Sequence, residues 1–415
     1  MSGRDCFKHL KHTVTLSLGY PGVLKGSSMF RFLAVLFSVS VFTVISFTSQ
    51  ASALTPRQAA ERLFQSEEIA PEWFAQEQFA PAVTRVVNDL KEGLGVLRDI
   101  EQCAVKCLAR FEKGEVKFDI AIDTQGRITL ILFEMPIAYA SSLEEAVSRL
   151  KALSGSVSIL VTQNGEELVN VDAGQPMAVG STFKLAVLKA LDNLIGAGKL
   201  EWAQVVGFEE SWRSLPSGKL QDWPVGAPIT IHTLASLMIS QSDNTATDAL
   251  IDIVTRNSVE MISPRNRPFL KTRELFLLKS TPMNALRTRY LEGAFDERAN
   301  ILDGLTDTPP PSLSDLIGGP LLEMEWHFST RELCTLMTDL ADRDVLQINP
   351  GVAIAENWAQ TSYKGGSDFG VLNMTTGLLG EDGTFYCVSA SWNDSEVLDE
   401  ETFMVHYASI LHQLE

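Results

Sequence analysis

Histidine is scarce in this chain. There are six in 415 residues, and two of those precede Met29. The others are scattered, and none sits with cysteine at zinc-ligand spacing, so the sequence implies no metal and no cofactor. Positive charge is also in deficit: 34 Lys and Arg stand against 52 Asp and Glu, a net charge of −18. Nothing forms a basic groove, which excludes nucleic acid and anionic membrane surface as partners. Internal repeats and low-complexity tracts are lacking, and no apolar run reaches the roughly 20 residues of a membrane-spanning helix. The longest, Phe32 to Phe47, is interrupted by Ser38, Ser40, Thr43 and Ser46.

That run has another reading. Met29-Phe30-Arg31 precedes it and Ala51-Ser52-Ala53 follows, the layout of a secretory signal cleaved near Ala53. An uncleaved N-terminal anchor is the competing reading. Residues 1–28 precede a start at Met29, and residues 1–53 are set apart from the fold as an upstream extension plus signal peptide. The mature chain is then periplasmic or secreted, free of membrane after cleavage, and expected to be a monomer. Losing five cations and one anion with that segment takes the net charge from −18 to −22. Of five cysteines, Cys103, Cys107, Cys334 and Cys387 remain. Export permits disulfides, and Cys103 and Cys107 could bridge across a tight hairpin. Cys334 and Cys387 read as separate small buried hydrophobes.

Two textures follow. Thr55-Pro56 starts a helix, and Val83, Val86, Val87, Leu90 and Leu94 mark a second. Val116, Phe118, Ile120 and Ile122 then alternate with polar or small residues, and Ile128 to Phe133 follows an Asp123–Gly126 turn. Residues 54–140 are therefore expected to form a small α+β domain without an acid–base cluster. Residues 141–415 make the second domain. Its first strands, Val157–Val161 and Leu168–Val171, flank Asn164-Gly165; its last, Gly370–Met374 and Phe385–Ser389, lie far downstream. A helical middle and a C-terminal helix, Glu400 to Leu414, complete an α/β (α+β) sandwich.

Three motifs in that domain carry chemistry. Ser181-Thr-Phe-Lys184 follows Gly180 and opens a helix apolar on nearly every side, so both residues enter a buried setting. Three positions apart, they share a face. Burial disfavours the ammonium form, making Lys184 a base for the serine proton. Ser242-Asp243-Asn244 lies 61 residues later, in a polar turn between two apolar helices. Ser242 is placed to relay a proton and Asn244 to bind a substrate amide, while Asp243 holds the turn. Lys364-Gly365-Gly366-Ser367 comes a further 122 residues on, before a strand. Its glycines permit close approach of substrate backbone, Lys364 sets the field around Ser242, and the Ser367 and Ser181 N–H groups form an oxyanion hole. The catalytic set is thus Ser181, Lys184, Ser242 and Lys364, with Asn244, Gly365, Gly366 and Ser367 binding substrate. Arg287, Arg289 and Arg298 are read as solvated, and the Asp307-Thr-Pro-Pro-Pro-Ser312 loop as a surface connection.

In that order, the three motifs resemble the serine β-lactamases and penicillin-binding peptidases, on the class A side. The likeness covers roughly Leu143 to Glu415. The whole mature chain resembles a narrower group of two-domain β-lactamase-like serine hydrolases that includes a clavulanate-biosynthesis-cluster member. Asn266–Phe276 and Glu325–Ser329 fit that group. The resemblance implies a β-lactamase/transpeptidase-type sandwich preceded by a cone-like, steroid-isomerase or cystatin-like domain. It also implies an acyl-enzyme at Ser181 on an amide, lactam or ester carbonyl of a small-molecule or peptide-like substrate. One departure stands out. Class A enzymes carry a Glu-x-x-Leu-Asn loop for deacylation, and here Glu274-x-x-Leu277 is followed by Leu278 and reads as first-turn capping. An esterase or cell-wall peptidase with little lactamase activity, and a non-catalytic peptidoglycan-type binding protein, are the alternatives.

Overall fold

Thr55 caps the first helix, α1 (Pro56–Gln65): its hydroxyl accepts from Gln58 N and the Gln58 side chain accepts from Thr55 N. The computed structural model describes residues 54–101 and 103–415, so the expected upstream extension and secretory signal lie outside the described residues. Helix α2 (Ala80–Leu94) follows, then strands β1 (Leu97–Glu101), β2 (Lys106–Phe111), β3 (Gly114–Ile122), β4 (Ile128–Phe133) and β5 (Ile137–Ala138). They form an antiparallel sheet in the order β1-β2-β3-β4, with β5 added on β3. Alternation buries Val116, Phe118 and Ile120 of β3 against Leu63 and Phe64 of α1 and Val83, Val87 and Leu90 of α2. Cys103, in the connection after β1, is joined by a disulfide to Cys107 of β2.

After α3 (Leu143–Lys151), the hairpin of β6 (Ser156–Gln163) and β7 (Glu166–Val171) turns at Asn164-Gly165, both at positive φ. Next come β8 (Met177–Ala178), a 3-10 turn at Gly180–Phe183, α4 (Lys184–Gly196), β9 (Val205–Gly207) and β10 (Pro228–Thr230). The helical middle comprises α5 (Ile231–Ser240), α6 (Asn244–Val254), α7 (Arg256–Ile262), α8 (Thr272–Leu278), α9 (Asn284–Glu292) and α10 (Phe295–Gly304). Then follow β11 (His327–Phe328), α11 (Thr330–Leu340), β12 (Gln360–Asp368), β13 (Val371–Leu379), β14 (Phe385–Asn393) and α12 (Glu400–His412). Strands from both ends of this stretch build one antiparallel sheet, β12-β13-β14-β6-β7, with β12 at an edge.

Packing groups the described residues up to Leu150 with Asp399–Leu414 as one compact unit, and Lys151–Leu398 as the other. Within the first, Ser409 Oγ of α12 donates to Ala138 O of β5 at 2.6 Å. The sequence reading of Cys334 and Cys387 as separate hydrophobes is corrected: they form a disulfide. Helix α11 packs across β14, which brings together two buried positions 53 residues apart in the chain. Among the described residues no helix is long and apolar enough to cross a membrane, and no group of three His, Cys, Asp or Glu is placed to hold a metal.

Candidate active site

The site is built around α4. Leu185, Ala186, Val187, Leu188 and Leu191 are all buried, and Phe183 stacks on Trp326 with ring centroids 3.6 Å apart. Polar groups in the first two turns of this segment therefore reach solvent only at its start. Ser181 lies there and is partly exposed, whereas Lys184 is completely buried. The sequence placed Ser181 as the first residue of the helix. The structure puts it instead in the 3-10 turn, and α4 begins at Lys184. The cause is Gly180, at φ +49°, which lets the turn press against β12.

Four motif residues converge on one point. Lys184 Nζ lies 3.1 Å from Ser181 Oγ, 3.0 Å from Ser242 Oγ, 2.6 Å from Ser242 O and 2.8 Å from Asn244 Oδ1. On the far side, Lys364 Nζ lies 3.2 Å from Ser242 Oγ and also donates to Gly365 O. Ser242 Oγ thus stands between two buried lysines. Burial pushes the Lys184 ammonium down to about 7, with Asp243 and Asp248 partly offsetting it. Lys364 is held well below the ordinary lysine range, first by burial and then by repulsion from Lys184.

Backbone geometry sets this convergence. Ser242 is at φ +54°, a left-handed conformation that costs a non-glycine residue of order 1 kcal/mol. Its carbonyl accepts from Ser217 Oγ at 2.6 Å as well as from Lys184. Asp243 secures the turn: Oδ1 accepts from Ala246 N at 2.8 Å, and Oδ2 from Lys219 N and Leu220 N at 2.7 and 2.9 Å. Gly218 has no room for a Cβ against that carboxylate. Asp243→Ala removes a helix cap and leaves two loop N–H groups without an acceptor, so it is expected to cost about 3 kcal/mol of stability in denaturant unfolding.

Gly366 and Ser367 of β12 meet the Ser181 turn. A Cβ on Gly366 would collide with Ser181 N, Val179 O and Thr182 N, and one on Gly180 would sit 2.9 Å from Ser367 N. Backbone N–H groups of Ser181 and Ser367 are therefore neighbours at the partly exposed mouth. Gly365 is roofed by the Tyr363 hydroxyl. Asn244 spans the site, with Oδ1 on Lys184 and Nδ2 donating to Leu215 O at 3.1 Å.

Other residues fall away from this centre. Both Glu274 oxygens pair with Arg256, at 2.6 and 3.2 Å, and Oε2 accepts from Lys271 N. Glu260 accepts from Phe269 N. Neither carboxylate bonds Ser181 or Lys184 among the described residues. Arg287, expected to be solvated, is buried and donates to Leu278 O and Asn284 Oδ1. Its guanidinium satisfies the carbonyl at the end of α8. Sequence reasoning passed over a buried cluster at the end of β12, where Lys279 Nζ pairs with Glu325 and Asp368. It also passed over Asp248, fully buried on α6.

Residues 140–277 match the model of the beta-lactamase enzyme family. No curated protein matches the chain. A solved β-lactamase from Sphaerobacter thermophilus is 20% identical, with a TM-score of 0.46, covering 66% of this chain and 95% of that one. A class A β-lactamase representative from Bacteroides cellulosilyticus is 18% identical, with a TM-score of 0.43, covering 65% and 96%. A structure described as PBP-A is 16% identical, with a TM-score of 0.43, covering 66% and 94%. The matched segment holds Ser181, Lys184, Ser242 and Asn244, while Lys364 to Ser367 lie beyond it. Over residues 140–277 the chain is similar to the beta-lactamase enzyme family, the penicillin-recognising serine hydrolases.

Proposed function

We propose that this protein is a serine hydrolase that forms an acyl-enzyme at Ser181 on an amide, lactam or ester carbonyl. The observation that carries the reading is the hydrogen-bond inventory of Lys184. A neutral amine has two N–H donors and one lone pair. Two of its four neighbours, Ser242 O and Asn244 Oδ1, are carbonyl oxygens that can only accept. They consume both donors, so the lone pair faces the Ser181 and Ser242 hydroxyls. Lys184 is thereby a base aimed at the nucleophile.

Ser181 Oγ bonds to the carbonyl carbon as its proton passes to Lys184 Nζ. The N–H groups of Ser181 and Ser367 receive the developing oxyanion. On collapse the bond to the leaving nitrogen or oxygen breaks. That atom takes the Ser242 hydroxyl proton, and Lys184 restores it. Lys364, relieved of its repulsion once Lys184 is neutral, places positive field at Ser242 and attracts a substrate carboxylate, while Asn244 and the Gly365–Ser367 backbone orient the acyl group.

The engagement of Glu274 and Glu260 elsewhere favours slow release of the acyl group, hence a peptidase- or esterase-like enzyme with little β-lactam turnover. Nitrocefin turnover against p-nitrophenyl ester turnover separates the two. A non-catalytic binding protein would not need a base aimed at Ser181. Residues 54–140, two helices then an antiparallel meander, fit a cone-like fold of the steroid-isomerase or cystatin kind, with a binding or structural role. Export with cleavage near Ala53, and a monomeric state, belong to the same proposal.

Acylation requires neutral Lys184, whose proton leaves at about 7. The acylation rate constant is expected to rise with pH and level off above that midpoint, and at pH 5 to be about a hundredfold below the plateau. Stopped-flow acylation by a penicillin across pH 5–9 reads this directly. A flat profile contradicts Lys184 as the base.

A further inference from the structure

Asp248 takes no part in the mechanism above, yet it is a fully buried carboxylate on α6, the helix that Asn244 begins. Its Oδ1 accepts from Thr272 N at 2.7 Å and Thr272 Oγ1 at 2.9 Å, and its Oδ2 from Arg273 N at 2.9 Å. The Thr272 hydroxyl also reaches Asn244 O at 3.2 Å and Ser214 Oγ at 2.7 Å. Asn244 in turn holds Lys184 Nζ. A path thus runs from Asp248 to the base: Asp248 holds Thr272 by its N–H, the one proton of the Thr272 hydroxyl lies between Asp248 and the Asn244 carbonyl, and the Asn244 side chain accepts from Lys184.

We propose that Asp248 is a positioning residue for acylation, which through Thr272 fixes Asn244 against Lys184 and supplies the negative charge that keeps Lys184 able to hold the serine proton. This rests on the acyl-enzyme reading. The charges facing Lys184 are Asp243, the cap of α6, Asp248 on α6 and Lys364 from β12. Those facing Asp248 are the Thr272 and Arg273 N–H groups and Lys271. Burial lifts Asp248 to about 7, the same midpoint as Lys184, with these donors partly offsetting it. The Asp248 charge favours the Lys184 cation, after burial and Asp243 in size. Removing the Asp248 charge leaves the Lys184 cation less stabilised, so its midpoint falls.

The test reads Lys184 by NMR in full-length protein carrying lysine labelled with 13C at Cε, the Lys184 signal being assigned by its loss in Lys184→Met. In Asp248→Asn the midpoint should move down by about half a pH unit or more, and the acid limb of the acylation profile should move with it. An unchanged or raised midpoint overturns the proposal. Since Asp248→Asn sits in the core and can unfold the protein, Thr272→Val and Thr272→Ser form a second arm. Thr272→Val should slow acylation about fivefold, the effect of one hydrogen bond, and Thr272→Ser should restore it. Equal rates for wild type, Thr272→Val and Thr272→Ser overturn the path. Absence of any wild-type acylation defeats the acyl-enzyme reading, while the NMR midpoints still decide the role of Asp248.

Discussion

Lys184→Met is expected to lower the acylation rate constant about a thousandfold, the loss that follows removal of a positioned general base. Methionine matches the length and burial of the lysine stem, so the packing of α4 against Phe183 and Trp326 persists. What disappears is the lone pair facing Ser181 Oγ from 3.1 Å. Ser242 O would keep its bond from Ser217 Oγ, while Asn244 Oδ1 would lose the buried partner it has now. Some stability should therefore be lost as well, and thermal melting separates that loss from the chemical one. Lys364 cannot substitute: its Nζ reaches Ser242 Oγ and Gly365 O, without a bond to Ser181. Time-resolved intact mass spectrometry with a penicillin gives the rate constant. A value within tenfold of wild type would contradict Lys184 as base.

The second large effect belongs to Gly366. A single methyl group there would strike Ser181 N, Val179 O and Thr182 N, all backbone atoms that no rotamer change can move aside. Either β12 or the Ser181 turn must shift, and these carry the two N–H groups assigned to the oxyanion. Gly366→Ala is expected to lower acylation about a hundredfold to a thousandfold, the scale of losing an oxyanion donor. The sheet should survive, because β12 is an edge strand paired only with β13. Circular dichroism should show a folded protein and stopped-flow kinetics a slow one. A variant within threefold of wild type would mean that the strand–turn contact has no part in catalysis.

Much of this site was legible because its chemistry depends on a few residue types whose local contexts are strongly patterned. In the sequence, Ser181 and Lys184 stand at the start of an apolar helical run, Ser242 between two such runs, and Lys364 just before an apolar strand pattern. That they meet at one hydroxyl, from positions 58 and 122 residues away, follows from a sheet built from both ends of the segment. The hairpin at Asn164-Gly165 announced itself by its turn residues, β3 by alternation, and β4 by the Asp123–Gly126 turn before it. Other features were hidden for physical reasons. The 3-10 turn at Ser181 depends on contact between Gly180 and β12, which no local propensity encodes. The Cys334–Cys387 bond depends on α11 crossing β14, and spacing carries no trace of that. Asp248 did leave a signal, a carboxylate on a helix whose every position from Asn244 to Ile251 is buried, but its partner Thr272 is 24 residues away. Arg287 looked like a surface cation because its acceptors, the Leu278 carbonyl at the end of α8 and the Asn284 side chain, leave no charge partner in the sequence.

The central claim is that Ser181 becomes acylated, and intact mass spectrometry of the mature protein with a penicillin and with a fluorophosphonate probe tests it most directly. The structure of the Lys184 site predicts one acyl adduct per chain, long-lived with the penicillin, and none in Ser181→Ala under the same conditions. A wild-type protein left unmodified by both probes, or a Ser181→Ala variant labelled as fully as wild type, would contradict it.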